Sequence, residues 1–207
     1  MAAFAQEEPR FSIATDAGIQ RNFKKQQRYW AAGHTTQVLF HLTPKNGVYV
    51  LFAYYSAGSF KNNLAATAKS VTTNPQQINY TNRGKMTLKE LSIGWRKYLI
   101  GRPDIEKGWS IYANAGFGLL LGGVDNSHTV IIDTVTYTVP VLSGSAKFKR
   151  LTLDLGLGWE TPIGGEMYFY TEGKVWVPTT NYPSKYIFVN SNAPLVGMLS
   201  TGVRILF

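Results

Sequence analysis

The chain has 207 residues, with 21 lysines and arginines against 12 acids, a formal net charge of +9, and no cysteine. The missing cysteine removes disulfides, thiolate metal sites and cysteine nucleophiles together. No stretch reaches the roughly 18 consecutive apolar residues of a membrane helix, although strands that cross a bilayer leave no such peak.

Taken from the start, Met1–Ala5 reads M-A-A-F-A, and Ala3-Phe4-Ala5 has the small-x-small form of a signal-peptidase site. Residues 1–9 are therefore expected to be a signal remnant and flexible N-terminus, followed by one domain over 10–207. From Phe11 to Gln20 the set Phe11, Ile13, Thr15, Ala17, Ile19 alternates with Ser12, Ala14, Asp16, Gly18, Gln20. Alternation of period two is a strand with one apolar face. A polar loop is expected over 21–35, a second strand over Thr36–Thr43, a tight turn at Pro44-Lys45-Asn46-Gly47 and a third strand from Val48 to about Gly58. Residues 59–83 are rich in Asn, Thr, Ala and Gln and read as a long loop.

The fourth strand, Lys85–Ile100, sets Leu91, Ile93 and Trp95 against Glu90, Ser92, Gly94 and Arg96; after a short connection at 101–108, the fifth runs from Trp109 to Leu119. Residues 122–148 read as another long loop, with Thr129–Val139 β-branched enough to extend a hairpin. In the sixth strand Leu151, Leu153, Leu155, Leu157 and Trp159 alternate with Thr152, Asp154, Gly156, Gly158 and Glu160. Pro162–Gly165 should turn it into the seventh, Met167–Val177, and after a loop over 178–195 the last strand, Val196–Phe207, ends on an aromatic.

Eight strands joined by alternately long and short connections predict an all-β, antiparallel up-and-down transmembrane barrel, with short periplasmic turns, long external loops and both termini periplasmic. Phe11, Phe40, Trp95, Trp109, Trp159, Phe169 and Phe207 share the outward parity and cluster near the short turns and termini, as an interfacial girdle would. A soluble, lipocalin-like barrel for a small apolar ligand would need the same faces reversed, with the Leu/Trp side of the sixth strand inside.

On this architecture and the final amphipathic strand, the chain resembles the small eight-stranded outer-membrane barrels of the OmpA-transmembrane and OmpX type. The resemblance implies a Gram-negative outer-membrane location and recognition of the last strand by the barrel-assembly machinery. Some barrels of this kind modify lipid A with a serine or histidine at the external rim, which makes Ser127-His128, with Asp125 and Asp133 nearby, the enzymatic alternative.

Charge is distributed unevenly. The expected external loops and strand tips hold twelve cations, among them Lys24, Lys25, Arg28, Lys85, Lys147, Lys149 and Arg150, against only Asp125 and Asp133. Lys85, Lys147, Lys149 and Arg150 are expected to meet phosphates of lipopolysaccharide or another anionic partner. For Lys24, Lys25 and Arg28 a surface polysaccharide or a protein subunit is an equal alternative. Asp16, Glu90, Arg96, Asp154, Glu160, Glu172, Lys174 and Arg204 have inward parity and should form a lumen charge network, since an eight-stranded barrel is only wide enough for side chains. Within it the turn at Pro162–Gly165 predicts an Asp154–Lys174 salt bridge. No metal cluster, phosphate loop or nucleophile elbow is recognisable, so no cofactor and no metal site is predicted, and the basic residues carry no nucleic-acid-binding motif. The sequence thus points to an integral barrel with a structural or surface-interaction role and no open pore.

Overall fold

The computed structural model describes residues 10–180, 185–187 and 195–207. The expected signal remnant and terminus at 1–9, most of the last long loop, and the side chains of Lys25 and Ala57 lie outside the described residues. The strands are β1 (Arg10–Asn22), β2 (Trp30–Thr43), β3 (Asn46–Ala68), β4 (Gln77–Ile100), β5 (Ser110–His128), β6 (Tyr137–Thr138), β7 (Gly144–Gly164), β8 (Met167–Pro178) and β9 (Val196–Leu206). All but the two-residue β6 pair antiparallel with two neighbours, in the ring β1-β2-β3-β4-β5-β7-β8-β9 that returns to β1.

Following the ladder from Phe40 through Val48, Trp95, Ala115, Leu155, Val175, Gly197 and Arg21 leads back to β2 at Trp30, ten residues from the start. That stagger, with eight strands about 4.8 Å apart, fixes a tilt of about 40° and a rise along the barrel axis of about 2.5 Å per residue. Trp30 therefore stands about 25 Å above Phe40 along the axis. The seven predicted girdle aromatics lie within about 6 Å of the Phe40 level and are all exposed. Two contacts tie part of the ring together: Phe11 stacks on Phe207 at 4.9 Å, and Trp159 meets Phe169 edge-on at 6.4 Å.

The two faces follow the sequence alternation. Ile13, Leu91, Ile93, Phe117, Leu155, Leu157 and Leu199 stand exposed on the outside, while Gln37, Tyr49, Tyr112, Tyr170 and Trp176 are buried within. Inward glycines make room for these large residues: a Cβ on Gly158 would come within 2.2 Å of the Tyr112 ring.

More than half of each of the expected loops at 21–35, 59–83 and 122–148 is strand. β3 and β4 run on together as a ribbon to Thr67↔Gln77, β5 reaches His128, β7 begins at Gly144 and β2 at Trp30. Outside the apolar belt the outward positions are polar, so the alternation that marks a strand disappears although the main-chain ladder continues. A bulge between Tyr55 and Gly58 also shifts the phase of β3, so that Phe60 points inward where continued alternation would turn it out. Thr129–Val139 does not extend the hairpin as expected. It crosses one face of the ribbon, pairing only Tyr137 and Thr138 with Ala68 and Thr67, and Ile132, Tyr137 and Val139 pack on Ala66, Tyr80, Leu64 and Ile78.

The β7–β8 turn is also displaced. Gly164 and Gly165 have φ of +136° and +55°, a region open chiefly to glycine, so β7 continues through Pro162 and the chain reverses at Gly165-Glu166. The resulting register sets Gly156 opposite Lys174 and Trp176 opposite Asp154.

Candidate functional site

The lumen is a stack of polar layers. Nearest the short turns, Arg204 forms a two-pronged ion pair with Glu160, donating from Nε at 3.1 Å and from Nη2 at 2.8 Å. Its remaining donors reach Ser12 Oγ at 2.9 Å and the Pro103 carbonyl at 2.6 Å, and its guanidinium lies over the Tyr168 ring. His41 meets Ser12 at 2.6 Å through Nε2.

In the next layer Glu172 is the hub. It accepts from Arg96 at 3.1 Å, Tyr112 at 2.8 Å, Asn114 at 2.9 Å and Lys174 at 3.1 Å. Arg96 also donates to Asn114 and Gln37, both at 2.9 Å, and stacks on Tyr112. Lys174 reaches Asp16 at 3.9 Å, and Asp16 accepts from Tyr170 at 2.9 Å. The expected Asp154–Lys174 bridge is not formed. With the turn shifted to Gly165-Glu166, Lys174 leans toward Glu172 and Asp16, while Asp154 joins Thr152 Oγ1 at 2.9 Å and, through that hydroxyl, Glu90. The cavity beside Asp154, Lys174 and Trp176 measures about 10 Å³, roughly one water molecule.

At the other end, above the apolar belt, outward parity continues. Lys149 and Lys89 flank Leu121 across β5 in one register row, Lys147 stands opposite Gly123, and Lys85 opposite Asp125. A Cβ on Gly123 would meet nothing within 4 Å, so the middle of this lysine group is open. Lys89 and Arg21 lie about 21 Å above the Phe40 level, Lys149 at about 27 Å, and Lys85 and Lys147 at about 30 Å. Cation–π contacts mark the same height, with Arg21 over Trp30 and Lys89 over Tyr54. Sequence reading missed Lys89, although it shares the parity of Leu91 and Ile93. Arg150 does not belong with this group: its even number puts it on the inward side with Thr152, and only 2% of it is exposed.

Structural comparison identifies the architecture. Over 95% of this chain and 97% of the other, the chain superimposes on Neisserial surface protein A with a TM-score of 0.60 at 12% identity. It superimposes on a major outer membrane protein of Thermus thermophilus (TM-score 0.57, 13% identity, 96% and 99% covered). A further match is Ail, the attachment invasion locus protein of Yersinia pestis, in complex with the heparin analogue sucrose octasulfate (TM-score 0.53, 14% identity, 97% and 99% covered). The chain has the fold of a small outer-membrane β-barrel. By sequence it matches no family model and no curated protein.

The barrel does not bring the rim residues together as a catalytic group. Ser127 Oγ donates to the Arg83 carbonyl, Asp125 accepts from Ser145, and Asp133 accepts from Thr136 Oγ1 and the Val135 amide. His128 meets the Tyr80 ring at 4.6 Å with the planes tilted by 49°, and burial there holds its pKa below the ordinary histidine value. Among the described residues no group of three potential metal ligands occurs.

Proposed function

We propose that the protein is an integral outer-membrane barrel with no open pore, whose cationic outer rim holds phosphate groups of lipopolysaccharide in a structural or surface-interaction role. The observation that carries this reading is height. Lys89, Lys149, Lys85 and Lys147 face outward just where an apolar belt of about 25 Å ends, the thickness of the outward band of barrels that cross a membrane. A phosphate there is met by several cations at once, and charge-assisted contacts in a partly dry interface are stronger than exposed ones. The sulfated sugar bound to Ail supports an anionic partner by analogy of fold. The short turns then face the periplasm, and Arg10, Arg102, Asp104 and Glu166 near them are linked in an exposed ion-pair group that carries no net outward charge.

Replacing Lys85, Lys89, Lys147 and Lys149 with Gln should strip most co-purifying lipopolysaccharide, and the wild type should lose it progressively as salt is raised. Unchanged lipid content at low and high salt removes this reading. Closure of the lumen makes a separate prediction. Planar-bilayer recordings of the purified protein should lack a stable, large conductance, because Arg204, Glu160, Arg96, Glu172 and their tyrosines fill the cross-section. A large conductance in most insertions would contradict the packed interior.

A further inference from the structure

Resting on the lipid reading above, we propose that the outward face of the β3–β4 ribbon is a second site, binding the oligosaccharide portion of the same glycolipid whose phosphates the lysines below it hold.

The ribbon has two unlike faces. One carries Ala66 and Tyr80 and is covered by the crossing segment with Ile132, Tyr137 and Val139. The other is bare and polar, and the cross-strand pairs on it run Lys61 opposite Arg83, Asn63 opposite Thr81, Ala65 opposite Asn79 and Thr67 opposite Gln77. Like charges directly opposed across two strands are destabilising. Among the described residues neither Lys61 nor Arg83 forms an ion pair within the chain, and Asp125, one register row below, is turned to Ser145. Both stand exposed on the outward side, so an anion from outside can lie between them and offset the repulsion.

Above that pair the chemistry changes to amides and hydroxyls. Thr81 Oγ1 donates to Asn63 Oδ1 at 2.9 Å, and the Thr81 amide is held by Thr129 Oγ1 at 3.0 Å, which fixes the spacing of the row. Asn63, Ala65, Asn79, Thr81 and Thr129 line an open concavity of about 580 Å³. Beside Leu64 and Tyr80, the Asn63, Asn79, Thr81 and Thr129 side chains offer both donors and acceptors, so it suits a polar, hydroxylated chain rather than a single ion. The ion pair that an acidic sugar would complete stands at about 35 Å above the Phe40 level, with the amides higher on the same strands. Lys85 and Lys89 lie directly below on β4. A ligand with phosphates at its base and sugars above them follows this succession.

The test uses the full-length protein in nanodiscs and two purified probes, a glycolipid with its complete core oligosaccharide and the same phosphorylated anchor stripped of sugars. The wild type should bind the complete glycolipid about tenfold more tightly, the gain of two or three added polar contacts. Lys61→Gln with Arg83→Gln, and separately Asn63→Ala with Asn79→Ala, should abolish that preference and leave affinity for the stripped anchor the same. Gel mobility before and after boiling verifies folding of each variant. If the wild type binds both probes equally, or the ribbon variants still prefer the complete one, the inference is overturned while the lipid reading stands. If the four-lysine variant binds the stripped anchor as the wild type does, the lipid reading itself fails and this inference with it. A soluble acidic polysaccharide that binds the ribbon as tightly as the glycolipid would assign the face to an external glycan and overturn the inference as stated.

Discussion

Replacing Glu172 with Ala is expected to lower the unfolding free energy of the barrel by about 3–5 kcal/mol, the cost of stripping one partner from a buried ion pair. Glu172 is fully buried and takes donors from Arg96, Tyr112, Asn114 and Lys174 at once. Its removal leaves Arg96 with only neutral acceptors, Asn114 and Gln37, and leaves Lys174 with Asp16 alone, at 3.9 Å. Glu172→Gln keeps an acceptor for Tyr112 or Asn114, so its loss should be smaller. Urea unfolding of lipid-reconstituted protein measures both. A change below about 1 kcal/mol for the alanine variant would mean that water or repacking satisfies the two cations, and that the network does not hold the lumen closed.

Which charges share the interior was legible in the sequence, and which of them touch was not. Parity within a strand needs only local alternation, and it assigns Asp16, Arg96, Glu172 and Arg204 to the inside. The pairing of Arg96 on β4 with Glu172 on β8 crosses the lumen, and it depends on a stagger of ten accumulated over eight registers. No short stretch of sequence contains that quantity. The β7–β8 register is nearer to hand, since Gly164-Gly165 already marks the reversal. Giving weight to Pro162 instead moves the turn and produces the Asp154–Lys174 pair that does not form.

Strand ends are obscured for a different reason. Lipid-type burial writes an apolar-polar alternation only where the outer surface is apolar, so Lys61, Asn63, Thr81 and Arg83 carry no such mark although they sit in an unbroken ladder. The same effect misassigns Arg150. As a cation near the end of the recognisable strand it groups with Lys147 and Lys149, yet alternation alone separates it from them.

The reading that places the apolar face in lipid makes a sharp demand on Leu155. This residue is 45% exposed, faces outward, and lies about 12 Å above the Phe40 level, near the middle of the belt of about 25 Å. Leu155→Arg should destabilise the bilayer-embedded protein by about 2–4 kcal/mol, as cations do at the midplane of transmembrane barrels, while Leu121→Arg, at about 24 Å, should cost no more than about 1 kcal/mol. A soluble barrel with this face in water predicts no such gradient, since a surface Leu→Arg change stays within about 0.5 kcal/mol wherever it occurs. A reversed barrel with Leu155 in the core would make the arginine disruptive too, but there Asp154 would be exposed, and Asp154→Leu would be mild. In the lipid-facing barrel Asp154→Leu removes a buried hydrogen-bond partner of Thr152, the hydroxyl that also holds Glu90, and should destabilise as well. Denaturant unfolding of the three variants in one lipid therefore separates the models. A depth gradient from Leu155 to Leu121 with a costly Asp154→Leu supports the membrane barrel, and equal, small effects at 155 and 121 rule it out.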